Sequence, residues 1–211
     1  MIVLKRVLVF IFGFCVFCDG ANILGVFPTF YKSHWNIGVA IMKELAAAGH
    51  DITLISPYPL KSPNIRNIVL TDVPEEGKIN MFILESIPKV FSQMYLSTIV
   101  TSTTNNTLSH PSVQRLMASD IKFDVVIAEI FLMEAIYGLG QHFDCPVIGV
   151  SMIGISKWTN EVTGNPTAFS YVPHPFLEFT DKMSFGQRFK NTWFSIVDHI
   201  FLNTYHYSNQ V

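Results

Sequence analysis

The chain has 211 residues, of which 49% are hydrophobic and 14% charged, and its formal net charge is −2. That is enough length for one large domain and enough apolar content for a sizeable core. The near-neutral balance and the lack of a basic run argue against nucleic acid as a partner.

The chain opens with a targeting pattern. Lys5 and Arg6 precede "VLVFIFGFCVF" (Val7 to Phe17), eleven residues long, and "CDG" follows. The run is too short to span a bilayer as a helix, so residues 1–20 read as a secretory signal peptide cleaved after Gly20; an uncleaved anchor is the other reading. Cleavage removes Cys15 and Cys18, leaving Cys145 alone in a domain spanning 21–211, which must therefore hold by burial without an internal disulfide. "NNT" at Asn105 to Thr107 is a sequon, so lumenal exposure makes Asn105 a candidate glycosylation site.

"NILGVF" (Asn22 to Phe27) reads as a buried strand. From Asn36, placed to cap a helix, Ile37, Ile41, Leu45 and Ala48 recur at helical spacing, and Gly49 stops the run. "DITLIS" (Asp51 to Ser56) is a second strand, so the three segments make a βαβ unit. "NIRNIVL" reads as a third strand and "KINMFILES" as a strand or a helix start; Gln93 to Val100 and Val113 to Ser119 look helical. A second unit follows: strand "FDVVIAEIF", a helix with apolar residues at Leu132, Ile136 and Leu139, and strand "CPVIGVS". Residues 151–176 read as one long loop, functional or a lid, and Ser184 to Tyr207 as a long aromatic-rich helix. Parallel strands joined by helices predict an α/β, Rossmann-like sheet covered on both faces.

In such a sheet, with strand order 3-2-1-4-5, ligands bind beyond the carboxyl ends of strands 1 and 4. His34 is placed in the loop leaving strand 1, and Glu129 ends strand 4. The order brings the two to one crevice, where an imidazole and a carboxylate suit a general base and the group that orients it. The bland alternatives are a solvated histidine and a glutamate that favours the next helix through its dipole. The first turn lacks G-x-G-x-x-G, and Ser56 and Pro57 stand where an acidic residue would end strand 2, so a nicotinamide-dependent enzyme is disfavoured. Phe27, Phe30, Tyr31 and Trp35 suit an apolar small molecule, half of them on a pocket and the rest in the core.

"FPTFYKSHW", "AGHDITLISPYP", "FDVVIAEIFLMEAIYGLGQHFDCPVIGVS" and "YVPHPFLEFTDKMSFGQRFKN", in that order, resemble the animal UDP-glycosyltransferases, glucuronosyltransferase-like membrane enzymes of the endoplasmic reticulum. The resemblance implies the amino-terminal, acceptor-binding domain of a GT-B fold. It implies His34 as general base and Glu129 as its partner, where many members have the shorter aspartate. The reaction is inverting transfer of a hexosyl or glucuronosyl group from a UDP-sugar to a small lipophilic hydroxyl compound. UDP-sugar is then a co-substrate held mainly by a carboxyl-terminal domain whose donor signature is absent from this sequence, and no cofactor or metal is implied. The family's terminal membrane helix is likewise absent, so the expected location is the endoplasmic reticulum lumen or membrane, or outside the cell for a short form. Pairing with full-length enzymes is open, as is a second reading, a non-catalytic lumenal protein that binds lipophilic ligands. Half of a two-domain cleft is expected to expose apolar surface.

Overall fold

A computed structural model describes residues 20–71, 80–154 and 156–210. The signal-peptide reading therefore falls almost wholly outside the described residues. Strands β1 (Asn22–Val26), β2 (Asp51–Ser56), β3 (Ile65–Val69), β4 (Val125–Glu129) and β5 (Val147–Val150) form one parallel sheet in the order β3-β2-β1-β4-β5. This is the expected order, and β1 sits at its centre, with Val26 beside Ile55 of β2 and Ala128 of β4.

Alternation along the strands divides the core in two. Ile23, Ile52, Leu54, Ile65 and Ile127 face helix α1 (Lys32–Ala47) on one side. Leu24, Val26, Val126 and Ala128 face the other side, where α3 (Lys89–Ser109), α4 (Pro111–Met117) and α5 (Glu134–His142) pack. Leu132, Ile136 and Leu139 are buried there, as their spacing predicts. Helix α2 (Met81–Ser86) settles the ambiguity of "KINMFILES": the Asn80 side chain accepts the Phe82 amide at 3.0 Å and caps a helix.

Three expectations are corrected. Helix α1 starts at Lys32 and not at Asn36, because the Trp35 amide already reaches the Tyr31 carbonyl at 3.0 Å. Its fully buried residues are Gly38, Val39 and Met42; Ile41 and Leu45 pack half-buried against the same core, as their spacing predicts, while Ile37 is 44% exposed. The cause lies outside the helix: the Phe27 ring seats against Gly38, where a Cβ would come within 2.6 Å of it, and that contact rotates α1. Helix α3 runs on through the polar stretch, where the buried Thr103 and Thr107 hydroxyls are satisfied by bonding back to the Ile99 and Thr103 carbonyls. Residues 151–176 contain a helix, α6 (Lys157–Thr163). The remaining helix, α7 (Phe185–Phe201), continues into a π turn, Leu202–His206. Gly49, at φ +96°, ends α1 as its position predicts.

Gly38→Val forces a branched side chain into the Phe27 ring. It is expected to cost about 1–3 kcal/mol, as overpacking in cores does, read as a lower urea midpoint with unchanged slope.

Candidate active site

Parallel pairing carries β1 and β4 side by side to their carboxyl ends, so the residues after Val26 rise beside Glu129. Glu129 is 1% exposed. A carboxylate so deep in the protein needs both oxygens partnered, and Thr29 from the β1–α1 connection and His34 from the start of α1 do this. His34 Nδ1 lies 2.5 Å from Oε1, and the Thr29 hydroxyl donates to Oε2 at 2.5 Å. The extra methylene of glutamate does not prevent the contact. His34 is not in the loop as expected but in the first turn of α1, which aims the ring back over the sheet edge.

An ionised carboxylate only accepts, so Nδ1 carries the shared proton and Nε2 is the nitrogen left with a lone pair. The Phe131 and His34 rings meet in a T-shaped arrangement at a centroid distance of 5.4 Å, and the Tyr31 ring lies beside His34 at 5.5 Å, tilted by 38°. Both help line a cavity of about 330 Å³ into which His34 also opens. Leu84 of α2, Leu96 of α3, Trp158 of α6 and Phe176 complete a mostly apolar wall, with Ser33 at its edge. Burial, and behind it Tyr95, raises the Tyr31 phenol above its ordinary value, so it stays neutral at physiological pH. A larger hollow, about 700 Å³, opens at the amino ends of the strands near Gly49, Asp51 and Arg66. It holds none of the candidate residues and lies at the end of the sheet opposite to where ligands bind in this topology.

Of the four aromatics singled out in the sequence, Tyr31 lines the cavity. Phe27 does not: it is packed in the α1 core, because its ring fills the notch at Gly38. Trp35 packs against the same core and meets Tyr58 edge-on. Phe30 lies outside the cavity wall, its carbonyl accepting from the Tyr58 hydroxyl at 2.6 Å. Thr29 was missed by sequence reasoning, although it stands beside Pro28 in the same motif; no spacing rule links a threonine to an acid 100 residues away. The far wall was missed because it belongs to distant segments.

A buried polar cluster holds that wall. Asp198 of α7 accepts from His174 Nε2 at 3.2 Å and lies 3.5 Å from the Lys157 ammonium. His174 Nδ1 accepts the Phe176 amide at 3.2 Å, which makes this imidazole neutral with its proton on Nε2. Lys157 adjoins Trp158, and His174 is two residues from Phe176, so Asp198 ties two wall segments to one helix.

Comparison with known proteins adds a family. The model described as "UDP-glucoronosyl and UDP-glucosyl transferase" matches residues 22–210. UDP-glycosyltransferase UGT4 of Dactylopius coccus is 33% identical over 187 residues, 87% of this chain and 37% of that protein. An ecdysteroid UDP-glucosyltransferase of Lacanobia oleracea granulosis virus is 27% identical, over 82% of this chain and 41% of its own length. Human UDP-glucuronosyltransferase 2A3 is 24% identical, over 92% of this chain and 40% of its own length. The chain thus spans well under half the length of these curated relatives.

Thr29→Val removes the donor to Glu129 Oε2, and the carboxylate is free to turn. The ¹⁵N shifts of the His34 ring are expected to move away from the Nδ1–H tautomer in Thr29→Val and to keep it in Thr29→Ser. Hydrogen bonds to charged groups contribute about 1.5–3 kcal/mol, so a loss of stability of that order should accompany Thr29→Val in denaturant titration.

Proposed function

The chain belongs to the UDP-glucuronosyl and UDP-glucosyl transferase family, and from that premise we propose that it is the acceptor-binding half of an inverting UDP-glycosyltransferase acting on small lipophilic hydroxyl compounds. The observation that carries this reading is the meeting of His34 and Glu129 on an apolar cavity at the carboxyl ends of β1 and β4. In the proposed reaction an acceptor enters along Leu96, Phe131, Trp158 and Phe176 and brings its hydroxyl to His34 Nε2. That nitrogen takes the hydroxyl proton as the acceptor oxygen forms its bond to the anomeric carbon. The bond from that carbon to the UDP oxygen breaks, and UDP leaves with the electron pair. Glu129 holds the ring through Nδ1 and stabilises the imidazolium that forms. Thr29 holds Glu129. The apolar wall favours a ring or chain over a sugar or phosphate, which supports a lipophilic acceptor.

No residue of this chain is assigned to UDP or to the donor sugar. Asn105 is the proposed glycan site. It is exposed on α3, whereas the hydroxyl of Thr107, the third residue of its sequon, is buried and bonded to the Thr103 carbonyl. Attachment therefore has to precede the closing of α3 onto the core.

Transfer of labelled sugar from a UDP-sugar to a phenol by the full-length protein tests the chemistry. His34→Ala is expected to lower kcat about 10²–10⁴-fold, the usual contribution of a positioned base, with KM for the phenol little changed. Unchanged turnover removes His34 from the mechanism. For the glycan, the protein secreted through the lumen is expected to gain gel mobility on endoglycosidase treatment, and Asn105→Gln to abolish that shift.

A further inference from the structure

The connection from β4 to α5 leaves Glu129, carries Phe131 and contains a strained residue. Leu132 has φ +57°. That left-handed conformation is unfavourable for a bulky side chain and persists only where the surroundings hold it. Its effect is to send neighbouring side chains different ways. Leu132 is fully buried in the core, while Phe131 is turned to the His34 ring and the cavity. Little within the connection itself explains this. The Ile130 amide donates to the Val150 carbonyl at 2.9 Å, which fixes the end nearer the strand. Met133, at the N-cap position of α5, makes no side-chain bond to the helix.

The turn is held by residues 206–210. After the π turn, a 3-10 turn (Tyr207–Asn209) leads to Gln210. Gln210 Nε2 donates to the Leu132 carbonyl at 2.9 Å, and its Oε1 accepts the Ala135 amide at 3.3 Å. The two partners fix which way the side-chain amide points, since a carbonyl needs a donor and an N–H an acceptor. One glutamine thus satisfies the strained residue and a first-turn amide of α5 that the helix's own N-cap residue leaves without a side-chain partner. Gln210 is seated in turn against α3, with Nε2 3.5 Å from the Thr101 hydroxyl. One turn earlier on α3, Ser97 Oγ lies 2.6 Å from His206 Nδ1, and His206 Nε2 lies 3.0 Å from Glu134 Oε2 of α5. Ser97 and His206 are fully buried, so this serine, histidine and carboxylate are closed to a substrate and act as a brace between the two helices.

We propose that Gln210 is a positioning residue for the transfer reaction. By holding the Leu132 carbonyl it keeps the connection turned so that Phe131 packs against His34. Phe131 then limits how far the imidazole can swing about its bond to Glu129, and Nε2 stays aimed into the cavity. Gln210 is not on the cavity wall and does not meet His34, so it acts through the connection alone. Its effect on the rate rests on the reading of His34 as the base. Its effect on the contact between Phe131 and His34 does not, and the two are measured separately.

Two variants separate the hold on Leu132 from the cap on α5. Gln210→Glu keeps an oxygen for the Ala135 amide and removes the donor to Leu132; Gln210→Ala removes both. The full-length protein is prepared with ¹³C-labelled histidine rings, and the His34 signal is the one that His34→Gln removes. The carbon-bound ring protons of His34 are expected to carry a ring-current shift from Phe131, identified by its loss in Phe131→Leu. Both Gln210 variants are expected to lose most of that shift, while thermal melts show Gln210→Glu folded as the wild type is. In transfer of labelled sugar to a phenol, both are expected to lower kcat about 10–100-fold, the scale on which small misplacements act, with KM little changed. Wild-type shift and wild-type kcat in Gln210→Glu overturn the inference and leave Gln210 a helix cap only. A fall in kcat with the ring-current shift intact also overturns it. Gln210→Ala, which adds no charge beside Glu134, decides in the same way if the new carboxylate disturbs folding. If His34→Ala leaves turnover unchanged, the base reading falls by itself, and the ring-current comparison alone decides whether Gln210 sets Phe131 against His34.

Discussion

The site depends on one buried carboxylate. Glu129 ends a central strand with almost no access to water, and its two oxygens are satisfied by His34 and Thr29 alone among the described residues. Burial without partners is costly, and loss of either partner leaves an orphaned acceptor in low dielectric. The acid therefore fixes more than a tautomer. It draws the β1–α1 connection down onto the sheet edge, starts α1 early and leaves Nε2 of the imidazole for the cavity. The long arm of Glu129 is fixed because the second oxygen is also held; an arm with one free oxygen would be free to swing.

The cavity in front of this pair is assembled from segments that contribute little chemistry. Leu84 and Leu96 come from α2 and α3, and Trp158 and Phe176 from the stretch after β5. That stretch has few apolar anchors of its own, and the Lys157–Asp198–His174 cluster takes their place. Buried ionic groups are weak evidence for stability; Asp198 reaches both His174 and Lys157 through Oδ2, and its Oδ1 has no partner among the described residues. Here they hold an apolar wall across the cavity from the His34 ring.

Helix α7 links this wall to the outside. Its polar side is turned inward to satisfy backbone groups of residues 169–174 and the buried lysine and histidine, which leaves the aromatic side to solvent. An ordinary surface helix does the reverse. The same inversion supports the cavity from within and makes an apolar face available from without, so the two features have a common cause.

The sequence by itself determined the layers and their order. Val- and Ile-rich runs separated by helical periods sufficed for a parallel sheet, and right-handed connections between them leave few strand orders open. That order was enough to bring His34 and Glu129 to one crevice. Local pattern failed wherever a distant contact outweighed it. Phe27 against Gly38 rotated α1 and took Phe27 out of the cavity; α3 ran on through a polar run whose threonines are buried against the core; a polar cluster made a helix and a wall out of apparent loop. Thr29 had no signal at all, since a hydroxyl gains a role only when folding sets it against an acid. Periodicity records which face of each element avoids water, a property of neighbours in the chain. The partner of each side chain on that face is chosen by packing between segments far apart in sequence, and only the tertiary structure decides it.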